Sequence, residues 1–126
     1  MSLKEKVFEF SKSSLGDLVV GLTFGKFSKL LPVNRVKETD KVIAFWHPKP
    51  FWEKHIVLVP KKAIKSLTAL TPQDSEYISE IFLVAKEIVQ DLGWEKNGYT
   101  ILVNGGKRQE VGQIHFHLQS GKQLGK

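Results

Sequence analysis

Two histidines separated by a single residue are the strongest sign of chemistry in this chain. His115 and His117 lie in the segment 113–119, in which polar residues alternate with bulky apolar ones. In a β-strand this alternation places one set of side chains on each face, and the polar set is Gln113, His115, His117 and Gln119. Two neighbouring imidazoles are costly in a fold unless solvent, a metal or a phosphate uses them. The segment therefore predicts a core strand that carries a functional site.

The reaction that these histidines could perform is attack on phosphorus. An imidazole held by a hydrogen bond at one nitrogen exposes a lone pair at the other nitrogen at neutral pH. We interpret His115 as the candidate nucleophile. His117, one strand repeat away, can donate to a non-bridging phosphate oxygen. Gly112 and the turn 104–106 allow the backbone to approach an anion closely.

Five strands are predicted to position this site. Residue alternation and turn residues mark the strands, and a loop is required near 46–50 because its two prolines remove backbone donors and fix φ. The predicted strands are 35–38, 42–47, 55–60, 100–103 and 111–119.

One long helix is predicted from Pro72 to Leu92, with Thr71 as its cap and Gly93 as its stop. Its apolar stripe at helical spacing is Ile78, Ile81, Phe82, Ala85, Ile88, Val89 and Leu92. Residues 3–31 are also predicted to be helical, with a break near 13–16. Helices followed by consecutive strands indicate an α+β fold with a mainly antiparallel, five-stranded sheet.

Composition restricts the class of protein. A chain of 126 residues fits one domain that needs no disulfide or metal to fold, and it has no cysteine. No apolar run is long enough for a membrane span and no signal pattern is present, so we expect a soluble, cytoplasmic protein. The net charge of +6 would attract phosphorylated ligands. The basic residues are scattered, which argues against nucleic acid as the main partner.

The chain resembles the nucleotide-binding branch of the histidine-triad superfamily over roughly residues 22–124. The motif residues are His115-Phe116-His117-Leu118, preceded by Gln113. The co-linear matches outside the motif are Thr23-Phe24-Gly25-Lys26, Pro32, Glu38, Ala44-Phe45, Pro50, His55, Val59-Pro60-Lys61-Lys62, Asp91-Leu92-Gly93, Gly98-Tyr99 and Val103-Asn104. We therefore predict a histidine-triad-like domain over 22–126 and an N-terminal helical extension over 1–21.

The resemblance implies a function and a set of site residues. It implies hydrolysis or nucleotidyl transfer at the α-phosphate of a purine nucleoside monophosphate derivative, through a nucleotide bonded to His115, with no cofactor and no metal. His117 and Gln113 occupy motif positions, and His55 is a supporting histidine. The implied nucleotide-binding residues are Asn104, Gln109, Phe24, Phe27, Phe45 and His47. Relatives pair through the long helix and the strand 100–103, so a homodimer is expected.

Departures from the family pattern leave other functions open. Gln113 replaces the first motif histidine, and an amide cannot protonate a leaving group as an imidazolium does. We therefore expect poor cleavage of phosphoramidates relative to mixed anhydrides. His47 replaces an acidic residue that holds the ribose, and Glu110 stands near the scissile phosphate, where a carboxylate opposes phosphate binding. A nucleotide-binding or regulatory protein with weakened catalysis is one alternative, and a metal site of His55, His115 and His117 is another.

Overall fold

The computed structural model describes residues 33–125 of the chain. The predicted helices within 3–31, together with Phe24 and Phe27, lie outside the described residues, and so does the predicted boundary between 21 and 22. Between 33 and 125, the order of elements is five strands and two α-helices, with three short 3-10 turns between them. The strands are β1 (Arg35–Glu38), β2 (Val42–Trp46), β3 (Trp52–Pro60), β4 (Thr100–Val103) and β5 (Phe116–Gln123); the helices are α1 (Ser75–Leu92) and α2 (Trp94–Asn97).

A five-stranded sheet forms the centre of the described fold, in the order β1-β2-β3-β5-β4, with every neighbouring pair antiparallel. The α+β fold with its antiparallel sheet and one long helix is confirmed. Four predicted strand boundaries were wrong. β2 ends at Trp46 rather than His47, and β5 ends at Gln123 rather than Gln119 because its last residues pair with the start of β3. β3 begins at Trp52 rather than His55, because its first residues pair with the end of β5. β5 begins at Phe116 rather than Val111, because the Ile114 N–H donates instead to the Ile64 carbonyl outside the sheet, 2.8 Å away.

The long helix α1 covers one face of the sheet. The capping arrangement of Thr71 is present, with the Thr71 N–H donating to the Asp74 carboxylate over 2.9 Å, and residues 72–74 form a 3-10 turn before α1 begins. Gly93 ends the helix at φ +70°. The buried residues of α1 are Ile81, Val84, Ala85, Ile88 and Val89. Phe82 and Leu92, expected in the core, are 49% and 42% exposed, because Phe82 lies at the margin of the buried stripe and Leu92 is the last residue of the helix.

The two faces of the sheet have different contents. The α1 face holds the main core, with the buried strand residues Val42, Ala44, Ile56, Leu58, Phe116 and Leu118. The alternate residues of the same strands point to the other face, where Ile43, Phe45, Val57, Val59 and Val111 form a second apolar cluster. His55, His115 and His117 share this second face. Within 33–125, no helix is both long and apolar enough to span a membrane.

Candidate active site

Four histidines converge on one cavity of about 160 Å³ on the second face of the sheet. All four are buried, with 1–7% of each residue exposed. The cavity is lined by His47, Phe51, His55, Leu102, Asn104, Arg108, Glu110, His115, His117 and Gln119. The expectation that His47, His55, Asn104, His115 and His117 lie together therefore agrees with this geometry.

His115 has a fixed orientation at the start of β5. Its Nδ1 lies 2.9 Å from the backbone carbonyl oxygen of Gln113. A carbonyl only accepts, so Nδ1 carries the proton and donates it. Burial lowers the pKa of His115, against the opposing effects of the Gln113 carbonyl and the Glu110 carboxylate. The ring is therefore neutral near pH 7, and its Nε2 holds an unshared lone pair.

His55 and His117 form a hydrogen-bonded chain that sets the proton positions of both rings. The Phe51 N–H donates to Nδ1 of His55 over 3.1 Å, so the neutral His55 carries its proton on Nε2. His55 Nε2 lies 2.8 Å from Nδ1 of His117 and donates to it. His117 must then carry its own proton on Nε2. The outcome is a hydrogen-bond donor at His117 next to a lone pair at His115, whose ring centroid is 5.1 Å away.

The electrostatics of the site keep these rings neutral. Burial lowers the pKa of His117 to about 3, with further contributions from the other three imidazoles. Burial also lowers the pKa of His55 to about 4. The pKa of His47 falls to about 3, first through burial and then through His55 and His115. Arg108 and Glu110, both exposed, are therefore the charged side chains among the described lining residues.

Gln113 and Gln109, which the sequence analysis placed in the site, make side-chain hydrogen bonds to nearby backbone groups and do not line the cavity. The Gln113 side chain accepts from the Ile64 N–H over 3.0 Å and donates to the Lys62 carbonyl over 2.9 Å, and it does not line the cavity. Residues 113–115 precede β5, and the Gln113 side chain points to the backbone of residues 62–64 instead of following the alternation into the cavity. Gln109 donates to the carbonyls of Lys65 and Val111 at 2.6 and 2.7 Å. The structure therefore places the Gln113 side chain outside the cavity, while the backbone carbonyl of the same residue orients His115.

Phe45 is close to the cavity without lining it. In one row across the sheet, Phe45 pairs with Val57, Val57 with His117, and His117 with Leu102. Phe45 is fully buried in the second apolar cluster. It therefore lies two strands from His117, on the same face.

Several lining residues were not predicted as site residues. Gln119 follows His117 in the alternation of β5, so the sequence carried a signal for it. Arg108 gave no signal beyond its place next to Lys107 among the scattered basic residues. Phe51 and Leu102 gave no signal, because an apolar residue near a cavity looks like an ordinary core or loop residue in sequence.

A metal site is disfavoured by the proton positions. The structure brings His47, rather than His115, together with His55 and His117, with one nitrogen of each ring within 4.8 Å of the others. Metal-binding histidines usually donate their second ring N–H to an acceptor. Here the Lys49 N–H donates to Nδ1 of His47 over 2.9 Å, as Phe51 does to His55. The Nε2 atoms therefore carry protons and lack the lone pairs that a metal requires.

The fold and the histidine arrangement define an α+β protein of the histidine-triad type, and comparison with known proteins agrees. The HIT domain family model matches residues 29–124. An uncharacterized HIT-like protein of Synechocystis is 38% identical over 96 residues, covering 73% of this chain and 82% of that protein. The chain belongs to the HIT domain family, which confirms the sequence-based identification.

Solved structures support the same conclusion. A HIT family hydrolase from Legionella pneumophila is 29% identical with a TM-score of 0.73, covering 82% of this chain and 94% of the other. A histidine triad nucleotide-binding protein from Candida albicans is 25% identical with a TM-score of 0.68, covering 86% of this chain and 82% of the other. This chain is therefore similar both to a protein described as a hydrolase and to one described as nucleotide-binding.

Proposed function

We propose that this protein binds a purine nucleotide and hydrolyses or transfers a nucleoside monophosphate derivative at its α-phosphate, through a nucleotide bonded to His115. The observation that carries the proposal is the fixed tautomer of His115. Its Nδ1 donates to the Gln113 carbonyl, so the Nε2 lone pair is available to a phosphorus atom in the cavity. The names of the hydrolase and nucleotide-binding relatives support this class of reaction.

The first step would form a bond between His115 Nε2 and phosphorus while the bond to the leaving group breaks. The leaving group departs with the bonding electron pair. The product ring is cationic, because it keeps its proton on Nδ1, and the Gln113 carbonyl and the nearby Glu110 carboxylate stabilise that charge. The Nε2–H of His117 would donate to a non-bridging oxygen of the phosphate as its charge grows.

The second step would return His115 to its starting state. A water molecule, or an acceptor alcohol or amine in a transfer reaction, attacks phosphorus and the N–P bond breaks. Nε2 recovers its lone pair, and the attacking group loses one proton to solvent. The protein's share in both steps is to hold the nucleophile, the phosphate donors and the substrate in one geometry.

The test is turnover of adenosine and guanosine phosphoramidates, acyl-adenylates and dinucleoside polyphosphates by wild-type protein and by His115→Ala. We expect His115→Ala to abolish turnover. In a slowly resolving variant such as His117→Ala, we expect an intact-mass increase of one nucleotide. Lys107→Ala is the control, since Lys107 is exposed and does not line the cavity. Wild-type rates in His115→Ala would remove the nucleophile assignment.

A nucleotide-binding protein with weakened catalysis is the second candidate, and Glu110 favours it. Its carboxylate lines the cavity close to His115 and repels a phosphate. Nucleotide binding without turnover would support this candidate. In that case Glu110→Ser should raise both affinity and rate.

We also propose a homodimer. β4 is an edge strand of the sheet within residues 33–125, and beside it the residues Phe82 and Tyr99 are about half exposed. An apolar depression of about 220 Å³ runs between α1 and β4, and Phe82, Tyr99 and Ile101 line it. Exposed apolar surface of this kind next to a strand that is an edge of the sheet within residues 33–125 is typical of a protein interface.

A further inference from the structure

One proton of the proposed reaction finds no acceptor among the histidines of the site. When a nucleotide is bonded to Nε2 of His115, the other nitrogen of that ring still donates its proton to the Gln113 carbonyl. The water that attacks phosphorus must lose a proton as its oxygen forms the new bond. A side chain placed to accept that proton typically raises the rate about 10²–10⁴-fold. An efficient site therefore needs a base other than His115.

The other three imidazoles of the cavity are not available as that base. Each accepts one hydrogen bond at Nδ1: His47 from the Lys49 N–H, His55 from the Phe51 N–H, and His117 from His55. Each neutral ring then carries its proton on Nε2, so none of the three has a free lone pair. Burial also lowers the pKa of these rings, to about 3 for His47 and His117 and to about 4 for His55, which opposes the uptake of a second proton.

Glu110 supplies the carboxylate among the described residues that line the cavity. The remaining lining side chains are apolar, amide or cationic, namely Phe51, Leu102, Asn104, Gln119 and Arg108. A carboxylate can take a proton from water in a transition state, and these groups cannot. Glu110 forms no ion pair with any residue between 33 and 125, so no cation in this part of the chain neutralises its charge.

The charge of Glu110 acts on the nucleophile itself. Burial lowers the pKa of His115, and the Gln113 carbonyl and then the Glu110 carboxylate oppose that shift. The carboxylate and the imidazole are therefore close enough to act on one bound phosphate. Glu110 is also exposed to solvent, so a proton that it accepts in the cavity can pass on to bulk water.

The loop that carries Glu110 lies over the second face of the sheet. The next residue, Val111, is buried on that face in the cluster with Ile43, Phe45, Val57 and Val59. The Gln109 side chain holds the loop through its bonds to the carbonyls of Lys65 and Val111. In an in-line displacement the attacking water lies on the side of phosphorus opposite His115. A carboxylate that enters the cavity from a loop over the sheet, and not from a strand, can reach that side.

We propose that Glu110 is a catalytic residue, the general base for the breakdown of the nucleotide bonded to His115. This inference rests on the proposed function, because that intermediate is its reactant. The carboxylate accepts a proton from water as the water oxygen bonds to phosphorus. The N–P bond breaks, and its electron pair returns to Nε2 of His115. The carboxyl group then releases the proton to solvent, and an acceptor amine or alcohol would lose its proton by the same route.

The same carboxylate should weaken the binding of phosphate, because like charges repel. Removal of its charge should therefore have opposite effects on affinity and on rate. We expect Glu110→Gln to bind AMP more tightly than wild type and to turn over more slowly. A carboxylate that only repelled the ligand would behave differently, since its removal would raise both affinity and rate.

The test is pre-steady-state hydrolysis of the 4-nitrophenyl ester of AMP by the full-length protein. Nitrophenolate leaves as a coloured anion, so the first step needs no acid. In Glu110→Gln we expect rapid release of one equivalent of nitrophenolate, and then breakdown of the intermediate about 10²–10⁴-fold more slowly than in wild type. Intact mass after a quench should show one nucleotide on the protein.

Two further variants serve as controls for this experiment. Glu110→Asp keeps the carboxylate and should recover part of the lost rate. Glu76→Gln makes the same change of charge on α1, where the side chain is 84% exposed and does not line the cavity, and it should match wild type. Because Glu110 is exposed, circular dichroism should give each variant the wild-type melting temperature.

Azide separates proton removal from the other effects of the charge. The azide ion attacks phosphorus with no proton to lose, so it should speed the loss of the nucleotide from Glu110→Ala and release adenosine 5′-phosphorazidate. It should have little effect on wild type. If Glu110 acted only by stabilising the cationic ring of His115, its removal would destabilise the intermediate, and less nucleotide would remain on the protein.

Three outcomes would overturn the inference. The first is a Glu110→Gln variant that turns over as fast as wild type or faster, which would support weakened catalysis by a repelling carboxylate. The second is a slow Glu110→Gln variant that accumulates no nucleotide, and the third is a Glu110→Ala intermediate that azide does not break down. Failure of the proposed function looks different: wild type releases no nitrophenolate, or His115→Ala keeps full turnover. Wild-type turnover together with an unimpaired Glu110→Gln would remove this inference alone.

Discussion

Replacing Gln113 by leucine should destabilise the protein and disturb His115 without changing any group that lines the cavity. The Gln113 side chain is 4% exposed and spans two backbone groups of the segment after β3. It satisfies the Ile64 N–H at 3.0 Å and the Lys62 carbonyl at 2.9 Å. Leucine has a similar volume and no polar atom, so both backbone groups would lose their partner.

The magnitude follows from the burial of the two hydrogen bonds. The bond to Ile64 is fully buried, and an unpaired buried donor costs about 1–3 kcal/mol. The bond to Lys62 is only partly buried, so water can replace part of it and its loss costs about 0.5–1.5 kcal/mol. Added apolar burial from leucine offsets a little of this. The free energy of unfolding should therefore fall by about 2–4 kcal/mol.

Urea denaturation at pH 7 measures this change, with the unfolding free energy extrapolated to water. Gln109→Leu is the matched control, because the Gln109 amide also bonds two backbone groups, the carbonyls of Lys65 and Val111, but in exposed or partly exposed positions. It should cost less than about 1 kcal/mol. An unfolding free energy of Gln113→Leu within about 0.5 kcal/mol of the wild-type value, with an unchanged denaturant slope, would show that Gln113 does not stabilise this backbone segment.

The same geometry changes what Gln113→His should do. The sequence suggested that a histidine here would protonate leaving groups and improve the cleavage of phosphoramidates. In the structure this side chain faces the backbone of residues 62–64, outside the cavity. We now expect Gln113→His to give no selective gain on phosphoramidates. A selective gain would show that the side chain at 113 reaches the leaving group.

Three further predictions concern pH, assembly and substrates. The folded pKa values of His47, His55 and His117 lie at about 3, 4 and 3, below the ordinary 6.5 of the unfolded chain, so their contribution to stability is complete above pH 6.5 and is lost as pH falls from 6.5 toward 3. Unfolding free energies measured across this range should show proton uptake on unfolding, and His47→Gln should reduce that uptake. Light scattering should give twice the 14.3 kDa chain mass, and Tyr99→Lys should give the monomer, whereas a monomeric wild type would contradict the dimer. Mixed anhydrides such as acyl-adenylates should be cleaved faster than phosphoramidates because their leaving groups depart as stable anions, and equal rates would refute this.

The fold was largely readable from the sequence because its signals are local. Thr71, Pro72 and Gly93 mark the ends of the helix through capping and φ preferences that act over a few residues. The hairpin between β1 and β2 is fixed at Thr39, whose N–H donates to the Val42 carbonyl over 2.8 Å. The start of β5 was not readable, because it depends on hydrogen bonds from Gln113 and Ile114 to the Lys62–Ile64 segment, about 50 residues away.

The sequence predicted which residues form the site better than it predicted how they are arranged. Strand alternation placed His115 and His117 on one face, and the family resemblance added His55 and His47. No local signal distinguishes Gln113, which braces the backbone, from Gln119, which lines the cavity. Both follow the same alternation, and only the tertiary contacts separate them. The sequence likewise could not predict which nitrogen of each histidine carries the proton, since that depends on which backbone group faces each ring.

Those proton directions can nevertheless be traced to one short loop after β2. In the sequence His47-Pro48-Lys49-Pro50-Phe51, the two prolines have no N–H. The His47 N–H donates to the His55 carbonyl over 2.9 Å, so the backbone donors that remain in the loop are those of Lys49 and Phe51. The Lys49 N–H donates to His47, and the Phe51 N–H donates to His55. Each bond fixes a proton on the opposite side of its ring, and His55 passes the same polarity to His117. The loop thus leaves two donors in the cavity wall, the Nε2–H groups of His47 and His117. The bond to the Gln113 carbonyl leaves the lone pair of His115 on its Nε2. That polarity suits a phosphate, with its phosphorus at the lone pair and its oxygens at the donors.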